Sequence, residues 1–133
     1  MGTDNKKKIR VLFTRNLFEG HDVGLRTVVN QCRDSGMEVV YYPRFNEFTE
    51  VIKVAEQEDV DLIGISSSSA GHFYIAKQLL ALLKENNMDI PLIFGGVFPD
   101  SDVPKLKEMG VKGVFGPGSS PLEVANFIHE LLD

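Results

Sequence analysis

Leu62-Ile63-Gly64-Ile65-Ser66-Ser67-Ser68-Ser69-Ala70-Gly71-His72 begins apolar and turns abruptly to serine, alanine and glycine. A strand with one wet face alternates apolar and polar residues, whereas a strand covered on both faces is apolar almost throughout. Residues 62–66 fit the second description, so helices must lie above and below them. The stretch from Gly71 to Asn86 supplies one such helix, with Ile75, Leu79, Leu80, Leu82 and Leu83 on its inner side.

The same alternation extends in both directions. Ile9 to Phe13 is expected to be a strand. Gly24 to Ser35 is a helix with Leu25, Val28, Val29 and Cys32 on one face and Gly36 as its stop. Met37 to Tyr42 is a second strand, closed by Pro43. Thr49 is the expected cap of a helix carrying Val51, Ile52, Val54 and Ala55 inward. Beyond the central strand, Pro91 to Gly95 is a strand, Asp102 to Met109 a short helix, Gly113 to Phe115 a brief strand and Pro121 to Leu132 the last helix. Five such units predict an α/β domain with a doubly wound parallel sheet, because parallel strands need right-handed crossovers. The expected order is 2-1-3-4-5, the flavodoxin-like arrangement, which opens a ligand crevice at the carboxyl ends of strands one and three.

The loops at that end share a character. After the first strand comes Thr14 to Gly24, and after the third the serine run. After the fourth comes Gly95-Gly96, and after the fifth Gly116-Pro117-Gly118-Ser119-Ser120. The opposite end holds charged connectors such as Glu56-Gln57-Glu58-Asp59. One end is therefore built of small residues whose backbone a large ligand can approach closely.

Length and composition bound the rest. At 133 residues the chain is one domain, with residues 1–7 read as a solvated leader and 8–133 as the folded unit. A net charge of -5 argues against phosphate neutralisation, so no nucleic-acid partner is expected. No apolar stretch reaches the roughly 20 residues of a membrane span. The lone Cys32 sits in a predicted helix as a core or flanking residue and suits a reducing cytoplasm.

Phe18-Glu19-Gly20-His21-Asp22-Val23-Gly24 places a histidine between two carboxylates and two glycines. One imidazole nitrogen can ligate a metal while a carboxylate such as Glu19 accepts a hydrogen bond from the other and fixes the tautomer. The same residues also suit a solvated histidine or a helix cap at Asp22. Zinc fits poorly, since it takes three or four protein ligands and the chain's other histidines are His72 and His129 only. A metal held inside a macrocycle needs one protein ligand.

These residues resemble a known family. Glu19-Gly20-His21-Asp22-Val23-Gly24 is similar to the cobalamin signature Asp-x-His-x-x-Gly, Ser66-Ser67-Ser68 stands at the family's Ser-x-Leu, and Gly95-Gly96 at its Gly-Gly. From Gly24 to Ser66 41 residues intervene (25 to 65), and from Ser68 to Gly95 26 (69 to 94), as in the family. Ser69-Ala70-Gly71-His72, Gly95-Gly96-Val97-Phe98-Pro99 and Phe115-Gly116-Pro117-Gly118 resemble the cobalamin domain of methylmalonyl-CoA-type mutases, over about Lys8 to Leu132.

The resemblance implies a small subunit that binds adenosylcobalamin base-off. His21 would be the lower cobalt ligand through Nε2, with Glu19 orienting it and Gly20, Asp22, Val23 and Gly24 completing the loop. The displaced nucleotide tail would run between strands one and three. Ser66 would bond its base, and Ser68, Ala70, Gly95, Gly96 and Val97 would line it. Phe115, Gly116, Pro117, Gly118 and Ser119 would flank its other side. A separate large barrel subunit would hold the acyl-CoA, whose radical carbon-skeleton isomerisation the cofactor drives; this chain would supply no catalytic side chain of its own. Two departures are visible. Glu19 is one methylene longer than the family's Asp, which loosens the imidazole's orientation. Ser68 replaces Leu, and its hydroxyl would cost about 1–3 kcal/mol if buried unpaired. Binding is expected to survive both, weakened. The alternatives are a corrinoid methyl carrier, a glutamate-mutase-like small subunit, or a regulatory module that kept the fold and lost the cofactor.

Overall fold

Ten elements alternate along the chain in the computed structural model, which describes residues 8–16, 23–67, 71–97, 99–116 and 118–132. They are β1 (Arg10–Asn16), α1 (Val23–Asp34), β2 (Glu38–Phe45), α2 (Phe48–Glu58), β3 (Leu62–Ser66), α3 (His72–Glu85), β4 (Leu92–Gly95), α4 (Asp102–Met109), β5 (Gly113–Phe115) and α5 (Pro121–Leu132). All five strands pair in parallel in the order β2-β1-β3-β4-β5, as the alternation required. No helix among the described residues is long and apolar enough to cross a membrane.

Each central strand feeds two cores. Leu12, Ile63, Ile65, Leu92 and Phe94 pack with α2, α3 and α4 on one face. Val11, Phe13, Leu62 and Ile93 pack with α1 and α5 on the other. This is why β3 reads apolar throughout: both sides of its pleat are dry. Cys32 is wholly buried in α1, where loss of solvent pushes its thiol up to about 11. It is a small core residue, as its helical position suggested.

Two boundaries differ from the sequence reading. Pro43 does not end β2, which runs on to Phe45. β2 is an edge strand, where a missing N–H is tolerated. Its pairing with β1 jumps from Thr14↔Tyr42 to Asn16↔Phe45, so Pro43 and Arg44 together oppose Arg15. Arg15 Nε donates to the Pro43 carbonyl at 2.9 Å. Nor is Thr49 the cap of α2. The helix starts at Phe48, and the Glu50 carboxylate reaches back to accept the N–H groups of Asn46 at 2.6 Å and Glu47 at 3.0 Å. That is the returning half of a capping box.

Those backbone donors hold the Glu50 carboxyl below its usual range, with Tyr42 O–H adding a third bond at 3.2 Å. A depressed carboxylate stabilises the fold above its unfolded pKa of about 4.3 and loses that contribution as the pH falls through the folded value. Glu50→Gln is therefore expected to lower the thermal midpoint at pH 7, and the gap to the parent should close towards pH 3. Melts at the two pH values check this; a gap independent of pH would show that the charge contributes nothing.

The amino end of the sheet is tied by charge. Arg10 N–H donates to Asp61 Oδ2 at 2.9 Å, and its guanidinium bonds Glu38 Oε2 at 2.7 Å and the Glu58 carbonyl at 2.8 Å. The connectors at this end are thus fastened to the strands, and the open chemistry is left to the other end.

Candidate functional site

Register places the candidate residues in one row. Arg15 pairs with Ser66, Ser66 with Gly95 and Gly95 with Phe115, straight across the carboxyl ends of β1, β3, β4 and β5. Side chains alternate along a strand. Ile65 and Phe94 pack towards α2, α3 and α4, so Ser66 and Gly95 face the α1/α5 side, where Phe115 also packs.

The row beneath is sealed. It runs Phe13, Gly64, Ile93, Gly113. A Cβ at Gly64 would come 2.5 Å from Phe13 Cδ1, and one at Gly113 would come 2.7 Å from Phe127 Cε1. Aromatic rings therefore occupy the space that these two glycines leave. Phe115 and Phe127 meet edge to face at 5.4 Å, closing the β5 side.

Gly95 is different. A Cβ there would have only the Phe115 carbonyl oxygen nearby, at 3.7 Å, and Gly116 and Gly118 have nothing within 4 Å among the described residues. Above a floor of packed rings lies a row whose glycine, Gly95, leaves space that the described residues do not fill. An extended group could lie along it against bare backbone.

Gly96 is a glycine for another reason. Its φ is +149°, and a Cβ would fall onto the Ser67 carbonyl, 2.7 Å from the carbonyl carbon and closer still to its oxygen. The two backbones touch because the ladder continues past the strands: Ser67 N–H donates to the Gly95 carbonyl at 2.9 Å, and Gly96 N–H to the Phe115 carbonyl at 3.0 Å. Steric demand from its own chain thus accounts for Gly96, whereas no described neighbour demands a glycine at Gly95.

The other expected residues divide into two sets. Val23 and Gly24 begin α1. Ser66 is half-buried at the end of β3, and Val97 is 61% exposed beyond β4. Ser119 N–H closes a turn onto the Gly116 carbonyl at 3.1 Å, and Ser120 caps α5 by accepting the Glu123 N–H at 3.2 Å. Glu19, Gly20, His21, Asp22, Ser68, Ala70 and Pro117 lie outside the described residues. The sequence reading missed the sealing rings Phe13 and Phe127, because nothing local marks an aromatic residue as the filler of a glycine on another strand.

Residues 9–126 match the family model of the B12 binding domain. The chain belongs to the B12-binding domain family. The resemblance read from the three motifs is borne out across nearly the whole chain. Among its curated relatives, the pivalyl-CoA mutase small subunit of Xanthobacter autotrophicus is 38% identical over 94% of this chain and 84% of that protein. The 2-hydroxyisobutanoyl-CoA mutase small subunit of Aquincola tertiaricarbonis is 34% identical over 93% of this chain and 92% of its own. In fold the chain is similar to a cobalamin-binding protein from Desulfitobacterium hafniense, with a TM-score of 0.82 at 15% identity over 96% of this chain and 60% of that one. The expected flavodoxin-like order of a B12-binding domain is what the sheet has.

Proposed function

We propose that this B12-binding domain is the small subunit of an adenosylcobalamin-dependent acyl-CoA mutase, acting with a separate barrel subunit that binds the acyl-CoA. The observation that carries the reading is the space that the described residues leave over Gly95, and beyond β5 at Gly116 and Gly118, above a floor sealed by aromatic rings in a member of a B12-binding family. Bare backbone along one crevice suits the long, thin nucleotide tail of a base-off cobalamin. The two small-subunit relatives, matched over 84% and 92% of their length, support the subunit role and the acyl-CoA class.

Each residue then has a task. His21 would hold the cobalt, and Glu19 would accept its Nδ1–H and orient the ring. Ser66, half-buried at the head of the crevice, offers a hydroxyl to the base of the tail. Phe115 and Phe127 keep water from the far wall. The cofactor, when bound, supplies radical chemistry for carbon-skeleton isomerisation, and this chain contributes binding and orientation. A lone buried cysteine accords with a cytoplasmic setting.

Titration of the purified chain with hydroxocobalamin, followed by visible absorbance, tests the reading. Saturation with a base-off, histidine-ligated spectrum is expected. His21→Ala should remove that spectral signature and weaken binding at least about tenfold, or about 1.4 kcal/mol. A parent chain that leaves the cobalamin spectrum unchanged would sink the proposal.

A further inference from the structure

Three polar residues are buried among the described residues: Thr14, Ser67 and His72. All three sit where β1 and β3 end or α3 begins, at the crevice end of the sheet. Elsewhere the described core is apolar. A buried polar group is costly unless it is hydrogen-bonded, so this concentration needs a reason.

His72 shows the reason most clearly. It is the first residue of α3 and only 5% exposed, and its Nε2 lies 2.8 Å from Oδ2 of Asp102, the first residue of α4. The carboxylate accepts and the ring N–H donates. An acidic residue in the first turn also suits the α4 dipole. The pair therefore ties together the starts of two helices that follow adjacent strands.

The connections between those strands and helices are the ones that carry the candidate site. One runs from Ser66 through residues 68–70 to Gly71, and the other from Gly95 through Val97 to Ser101. At their bases the Ser67–Gly95 hydrogen bond and the close approach of Gly96 to Ser67 hold them together. At their far ends the His72–Asp102 bond does the same. The two loops are thus pinned at both ends. His72 packs beside Phe73, on the α2/α3/α4 side, whereas Ser66 and Gly95 face α1 and α5. The pair thus lies on the other face of the sheet from Ser66 and Gly95.

We infer that His72 and Asp102 form a positioning brace that sets the spacing of the β3 and β4 loops for cobalamin binding. The inference rests on the cofactor reading above. A buried histidine–carboxylate bond fixes a direction as well as a distance, which an apolar contact of the same size would not.

The test uses the purified full chain, hydroxocobalamin as probe, and a thermal melt of each variant, so that titrations run well below its own midpoint. His72→Leu is expected to weaken binding about tenfold or more, the order found when supporting hydrogen bonds behind a binding group are lost. His72→Gln, whose amide nitrogen can reach the place of Nε2, should bind within about threefold of the parent. Asp102→Ala, a milder change at a half-buried helix start, should reproduce the loss even if His72→Leu fails to fold. The double variant should bind no worse than the weaker single one, because the two groups act as a unit. Variants that melt lower yet bind as the parent does would overturn the brace, as would additive losses in the double variant. A parent chain that takes up no cobalamin would overturn the cofactor reading and the brace with it.

Discussion

Replacing Gly95 by leucine is expected to cost about 100-fold in cobalamin affinity, about 2.7 kcal/mol, while leaving the chain folded. Gly95 ends β4 without a positive φ, so an L-residue fits its backbone. Among the described residues, the only atom near its missing Cβ is a carbonyl oxygen at ordinary contact distance. A leucine would project on the α1/α5 side between Ser66 and Phe115, along the row where the nucleotide tail is proposed to lie. Its own cost to the fold should stay below about 1 kcal/mol, as for substitutions that break no packing. Titration with hydroxocobalamin beside a thermal melt reads both quantities. Unchanged affinity in a folded variant would mean that the tail does not pass over β4.

The neighbouring substitution should do the reverse. Gly96→Ala adds one methyl group, yet that methyl meets the backbone of Ser67 at a φ of +149°. Backbone cannot swing aside as a side chain can. Relief would have to come from separating the β3 and β4 loops, which breaks the Ser67–Gly95 and Gly96–Phe115 hydrogen bonds. Strain and lost bonds together should cost about 3–5 kcal/mol, or a fall of about 10–20 °C in the melting midpoint. Weakened binding would follow from unfolding alone. A variant that melts with the parent would show that the two backbones are not in contact. On these expected results two adjacent glycines of one motif would separate into a fold requirement and a site requirement.

That separation marks how far the residues could be read. Gly95-Gly96 was legible as a pair because it recurs at a fixed distance from Ser66 and His21 in a resembling family. Which glycine serves which purpose depends on Ser67, nearly thirty positions earlier, and on whether a ring fills the space. Phe13 reaches Gly64, and Phe127 reaches Gly113, but no side chain among the described residues reaches Gly95. Likewise Pro43 read as a stop because proline removes a ladder donor, and only the edge position of β2 explains why the strand continues. His72 was visible as part of a motif, but its partner Asp102 is 30 residues away and carries no local sign of the pairing.

Period and punctuation by themselves determined the layering of this protein. Continuous apolar strands, alternating with one-sided helices and short polar turns, admit a doubly wound parallel sheet and little else, because the central strands must be dry on both faces. The same local chemistry put the small residues at one end. Tertiary structure alone decided which of those small residues leave usable space, which are consumed by neighbouring backbone or rings, and that His72 meets Asp102. The physical reason is that secondary structure follows from neighbours in the chain, whereas occupied and empty volume depends on side chains brought together across strands by register.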